Sequence, residues 1–149
     1  MYKKILVPVD GSESSLRGLA EAIKLAKETG ASLRLVHAVN ELFIDTGYGA
    51  SIVTPQLIES LREGGTAILN AAASKAREQG LKPDTVLLDQ LGTRVADLIL
   101  IQAKEWPADL IVMGTHGRRG LSRLTMGSDA EMVLRSTDIP VLLVRAPAK

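Results

Sequence analysis

One stretch concentrates residues suited to holding an anion: Gly114-Thr115-His116-Gly117-Arg118-Arg119-Gly120-Leu121-Ser122-Arg123-Leu124-Thr125-Met126-Gly127-Ser128. Its glycines let the backbone turn sharply and approach a ligand with no Cβ in the way. It follows a strand-like apolar run and leads into a helical pattern. A helix N-terminus there offers unpaired N–H groups and the positive end of the helix dipole. Arg118, Arg119 and Arg123 add cations, and Ser122 and Ser128 add hydroxyls. This set suits a polyphosphate; the competing reading of the arginines is a solvated surface. His116 is available as a base, although a histidine so placed more often packs or bonds to backbone.

Neither familiar glycine motif is present. No Gly-x4-Gly-Lys-Ser/Thr string exists, and no Gly-x-Gly-x-x-Gly follows the first strand. The spacing here is Gly-x2-Gly-x9-Gly-Ser, formed by Gly114, Gly117, Gly127 and Ser128. A second polar turn, Asp10-Gly11-Ser12, closes the first apolar run. By itself it reads as an Asx turn followed by a helix cap. His37 lies in an apolar strand and reads as structural. With no acidic cluster near them, the two histidines make no recognisable metal site.

These residues need a scaffold, and the periodicity supplies one. Apolar runs at 5–9, 33–39, 85–88, 110–113 and 141–144 read as strands. Between them, four helical stripes are expected. Ser12 is the expected N-cap of the first, with Ser14 and Ser15 as alternatives, and Gly30 stands at its C-cap position. That stripe is Leu16, Leu19, Ala20, Ile23 and Ala26. The stretch 40–54 has no sustained period and reads as a mobile loop. Pro55 suits the first turn of the second helix, which Gly64-Gly65 interrupts. Close packing against a neighbour explains such a pair. The third helix ends before Pro107, and Met126, Ala130, Val133 and Leu134 mark the fourth. The order is β-α-β-α-β-α-β-α-β. Continuous apolar strands imply a parallel sheet covered on both faces.

Composition bounds the rest. The chain has 149 residues, 46% hydrophobic and 23% charged, as expected for one globular domain spanning 1–149. With one Trp, two Tyr and one Phe, aliphatic side chains must fill the core. No cysteine is present, so disulfides, thiolate zinc sites and cysteine nucleophiles are excluded, and a reducing cytoplasm fits. The N-terminal apolar run is broken by Pro8 and Asp10 and does not read as a signal peptide. A net charge of +1 gives no global attraction to nucleic acid or membrane.

Three segments together carry a family likeness: Ile5-Leu6-Val7-Pro8-Val9-Asp10-Gly11-Ser12, Asp109-Leu110-Ile111-Val112-Met113-Gly114-Thr115-His116-Gly117-Arg118, and Gly127-Ser128 with Pro140-Val141-Leu142-Leu143-Val144. In them, and over essentially its whole length, the chain resembles the universal stress protein family in its nucleotide-binding branch. The resemblance implies an open five-stranded parallel α/β sheet, order 3-2-1-4-5, Rossmann-like, with helices on both faces. It implies ATP, or ADP or AMP, as ligand, with Mg2+ as the usual companion of ATP. Carried over, Asp10 bonds the adenosine with Pro8 and Val9 beside it. A backbone contact falls near Val36, His37 and Ala38. Gly114, Gly117, Gly127 and Ser128 surround the phosphates, with His116, Arg118 and Arg119 among them. Thr125-Met126 departs from the usual aliphatic pair. Asp129 puts a carboxylate where an apolar residue is usual, which would either repel phosphate or help hold a divalent cation.

The implied function is a regulatory stress-response protein with at most slow ATP hydrolysis and an unidentified protein partner. A homodimer through the 141–144 edge strand is also implied. The alternatives are an ATPase or phosphotransferase using the same crevice, and an RNA-binding module suggested by Gly117-Arg118-Arg119-Gly120.

Overall fold

The computed structural model describes residues 1–39, 54–116 and 126–147. Five strands form one parallel sheet: β1 (Lys4–Pro8), β2 (Ser32–Ala38), β3 (Asp84–Leu88), β4 (Leu110–Gly114) and β5 (Val141–Val144). Their order is β3-β2-β1-β4-β5, as the family likeness implies. Four helices connect them: α1 (Glu13–Thr29), α2 (Pro55–Glu78), α3 (Val95–Glu105) and α4 (Ser128–Ser136).

The unbroken apolar strands follow from burial on both faces. Ile5 and Val7 of β1 enter one core with Leu19, Ala22 and Ala26 of α1 and Leu69, Ala72 and Ala76 of α2. Leu6, between them, points the other way, into a core with Ile99 and Ala103 of α3 and Ala130 and Val133 of α4. The period of two along a strand produces this division. In the central strands β1 and β4 neither face meets water, so alternation in side-chain orientation leaves no alternation in polarity.

The helix ends obey local rules. Ser12 caps α1, its hydroxyl accepting from the Ser15 N–H at 3.2 Å. Gly30 closes α1 with φ 74°, a left-handed cap that a Cβ disfavours. Thr54 caps α2, with Pro55 in the first turn. The sequence pattern places Thr54 in the preceding loop; residues 40–53 of that loop lie outside the described residues.

Four stripe residues are corrected. Leu16 and Leu134 fit the helical spacing yet are 38% and 45% exposed, and Ala20 is exposed as well. Met126 precedes α4, which starts at Ser128.

The Gly64-Gly65 pair divides into two different glycines. A Cβ on Gly65 would stand 2.7 Å from His37 Cδ2 and 2.8 Å from Leu87 Cδ1, so close packing explains this one. A Cβ on Gly64 would meet nothing within 4 Å. Gly64→Ala is therefore expected to gain about 1 kcal/mol from helix propensity. Gly65→Ala is expected to lose about 1 kcal/mol net, overpacking outweighing the same gain. Urea denaturation of the two variants checks the opposite signs.

Candidate functional site

The chain reverses its direction of travel across the sheet between β1 and β4, which lie side by side. Ligands of open α/β sheets sit beyond the carboxyl ends of strands at such a switch point. Here the Asp10 turn leaves β1 and the Thr115–His116 segment leaves β4.

At the β1 end the backbone is tightly specified. Pro8 pairs in register with Val36, and the Val9 N–H donates to the Val36 carbonyl at 2.8 Å. His37 Nδ1 lies 2.8 Å from the Val9 carbonyl oxygen. The Val9 and Val36 side chains belong to opposite cores, so neither side chain is available to a ligand. His37 is buried and Ala38 is half-buried at the end of β2. Next, Asp10 folds back on itself. Its N–H donates to Ser15 Oγ at 3.0 Å, and its Oδ1 accepts from the Ser12 N–H at 2.8 Å. Gly11, at φ 82°, makes that Asx turn feasible. The Asp10 Oδ2 has no hydrogen-bond donor among the described residues.

At the β4 end, the first turn of α1 grips the outgoing chain. The Ser14 hydroxyl donates to the His116 carbonyl, and the His116 N–H donates to Ser14 Oγ at 3.3 Å. The Ser12 hydroxyl donates to the same carbonyl at 3.3 Å. Gly114 fits beneath this contact. A Cβ there would stand 2.5 Å from Ser14 Oγ and 2.6 Å from the Ser14 carbonyl carbon. Its missing side chain thus makes room for α1. Thr115 links three elements: its N–H donates to the Val144 carbonyl of β5 at 3.1 Å, and its carbonyl accepts the Gly127 N–H at 2.6 Å. Thr115 Oγ1 also lies 3.1 Å from His116 Nδ1.

Gly127 is the N-cap of α4 and supplies no side-chain cap. The orphan N–H groups of the first turn therefore face the switch point without a hydroxyl or carboxylate from the cap residue. Ser128 is exposed at the first position and Asp129 is half-buried at the second. Burial, and then the nearby charge of Asp10, push the Asp129 carboxyl above its ordinary 3.8. Asp129 thus lies close enough to Asp10 to feel its charge.

The structure thus brings Pro8, Asp10, Gly114, His116, Gly127 and Ser128 to one end of the sheet, next to the backbone of Val9 and the end of β2. Gly117, Arg118 and Arg119 lie outside the described residues. Sequence reasoning misses the role of Ser14, which it treats only as an alternative cap, and of the Thr115 backbone. The one signal for Ser14 is a third hydroxyl in the Ser12–Ser15 run.

On the α2 side, a cavity of about 210 Å3 lies between the end of β2 and α2, walled by His37, Val39, Ser60, Leu61 and Ile68. Among the described residues, no group of three or more His, Cys, Asp or Glu is gathered as for a metal ion, and no helix is long and apolar enough to cross a membrane.

Residues 1–145 match the model of the universal stress protein family. A universal stress protein of Methanocaldococcus jannaschii, MJ0531, is 38% identical over 149 residues, covering 100% of this chain and 85% of the relative. The solved structure of MJ0577 superposes with a TM-score of 0.83 at 25% identity, covering 100% of this chain and 99% of that one. Two further structures were solved with adenine nucleotides. The universal stress protein from Archaeoglobus fulgidus in complex with dAMP has a TM-score of 0.68 at 26% identity, covering 96% and 98% of the two chains. A universal stress protein in complex with cAMP has a TM-score of 0.65 at 27% identity, covering 98% of each. With the fold and the strand order in place, this chain belongs to the universal stress protein family.

Proposed function

We propose that this chain is a regulatory protein that binds an adenine nucleotide, ATP in its working state, at the β1–β4 switch point. One observation supports this above the others: the Asp10 turn and the uncapped N-terminus of α4 open onto the same end of adjacent strands. A carboxylate oxygen without a donor among the described residues suits ribose hydroxyls, and the N–H groups of a helix first turn suit phosphate. In this reading Asp10 holds the adenosine beside Pro8 and Val9, and the backbone of Val36, His37 and Ala38 borders the base. Gly114, Gly117, Gly127 and Ser128 surround the phosphates, with His116, Arg118 and Arg119 contributing and Mg2+ accompanying ATP. The family relatives solved with dAMP and cAMP support an adenylate as the shared part of the ligand.

Hydrolysis is slow in this reading, since no residue at the crevice, among the described residues, is set up to activate water. The output is a surface read by a protein partner. A homodimer forms through β5, an edge strand with Leu142 38% exposed.

Isothermal titration of nucleotide-stripped protein with ATP, ADP and AMP tests the proposal. Saturable micromolar binding is expected, weakened severalfold in Asp10→Ala. A folded wild-type chain that takes up none of the three overturns it.

A further inference from the structure

We infer that Ser14, seconded by Ser12, is a positioning residue for the phosphate side of the crevice: its hydroxyl fixes the His116 backbone and thereby sets affinity for the phosphates rather than for the adenosine. This rests on the nucleotide reading above and adds to it.

The geometry is specific. Ser14 is only 3% exposed, although it stands in the first turn of α1 where a serine ordinarily meets water. Its Oγ both donates to the His116 carbonyl and accepts the His116 N–H at 3.3 Å. One buried hydroxyl thus satisfies both polar groups of a residue that has left the sheet, β4 having ended at Gly114. The Ser12 hydroxyl donates to the same carbonyl at 3.3 Å. Gly127, at the start of α4, is held in turn by its N–H, which donates to the Thr115 carbonyl at 2.6 Å. His116 and Gly127 are therefore the fixed points from which the chain departs and returns to start α4.

The same turn holds the adenosine side. Ser12 donates its N–H to Asp10 Oδ1, and Ser15 Oγ accepts the Asp10 N–H. One helical turn thus serves both halves of the crevice with different hydroxyls: Ser15 towards Asp10, Ser14 towards His116. This division makes the two halves separable by substitution.

The test is competitive binding of ATP and adenosine to Ser14→Ala. Alanine is the better helix former, so α1 is retained. ATP affinity is expected to fall about fivefold while adenosine affinity stays the same. In the same variant, amide hydrogen exchange of His116 is expected to accelerate while that of the β1 amides does not change. Ser12→Gly provides a second variant, because glycine substitutes for a serine N-cap with little loss of helix stability. It too should lower ATP affinity more than adenosine affinity. An unchanged ATP-to-adenosine ratio in both variants overturns this inference alone. Failure of the wild-type chain to bind either ligand overturns the nucleotide reading and this inference with it.

Discussion

Gly114→Ala is expected to lose about 3 kcal/mol of stability and to abolish nucleotide binding, although it adds one methyl group to a strand. The backbone conformation is not the reason: Gly114 is not among the glycines with positive φ, and alanine adopts strand geometry without strain. Space is the reason. The new Cβ would stand 2.5 Å from Ser14 Oγ, 2.6 Å from the Ser14 carbonyl carbon and 2.7 Å from the Ser15 nitrogen. Two of these atoms are main chain at the start of a helix, so no rotamer change relieves the overlap. The first turn of α1 must lift, and it is held by the Ser12 cap, the Ser14–His116 pair and the Asp10–Ser15 bond. Lifting it disturbs Asp10 and His116 together, which are the two flanks of the proposed site. Gly18→Ala, one turn further along α1, is the control. Its Cβ would lie 3.3 Å from the Gly114 nitrogen and the Met113 carbonyl carbon, a contact relieved by a few tenths of an ångström. A change within about 1 kcal/mol is expected there, since helix propensity acts in the opposite direction. Chemical denaturation of both variants, with titration of ATP into each, measures the contrast. A Gly114→Ala protein as stable as wild type would falsify the tight α1–β4 seat.

Much of this architecture is legible in the chain because the relevant forces are local. The 141–144 run gives β5 at its observed bounds, and Ser12, Gly30 and Pro55 mark helix ends through preferences that depend on a few neighbouring residues. Failures occur where the answer depends on distant residues. Leu134 has the spacing of a core residue, but in the nine-residue α4 only Ala130 and Val133 are buried and Leu134 is exposed. Leu16, in the first turn of α1, is likewise exposed although Ser15 and Leu19 on either side of it are buried. The site divides in the same way. Asp10-Gly11-Ser12 is a local turn and reads as one. Val9 is expected beside the adenosine, yet its side chain is spent in one core and that of Val36 in the other, which only the sheet's facing reveals. The Ser14–His116 pair joins residues separated by 102 positions, and no local preference signals it. Gly114 is legible as a special glycine; that its special neighbour is α1 is not.

Asp129→Asn is expected to bind ATP roughly tenfold more tightly than wild type, a difference of about 1.4 kcal/mol, and to be the more stable protein at neutral pH. A carboxylate in the first turn of a helix is ordinarily favoured by the helix dipole. Burial and the neighbouring charge of Asp10 outweigh that benefit here and hold the Asp129 carboxyl above its ordinary 3.8. The folded state therefore binds this proton more tightly than the unfolded chain does. As pH rises from about 3.8 through the raised value, the folded state carries the extra proton and stability falls. Above that window the ionised Asp129 remains a constant penalty, which a nearly isosteric asparagine side chain removes. The stability gap between variant and wild type should thus be full at pH 7 and close as pH falls towards 3.8. Bound phosphates add a third negative group to the Asp10–Asp129 pair, so the gain in affinity should be large for ATP, small for adenosine, and reduced by salt. Thermal melts across pH, paired with titrations at two salt concentrations, measure both effects. Loss of affinity in Asp129→Asn, confined to solutions containing Mg2+, would instead assign this carboxylate to the cation that accompanies the phosphates. The sign of the change thus decides whether the acidic residue opposes the ligand or completes its site.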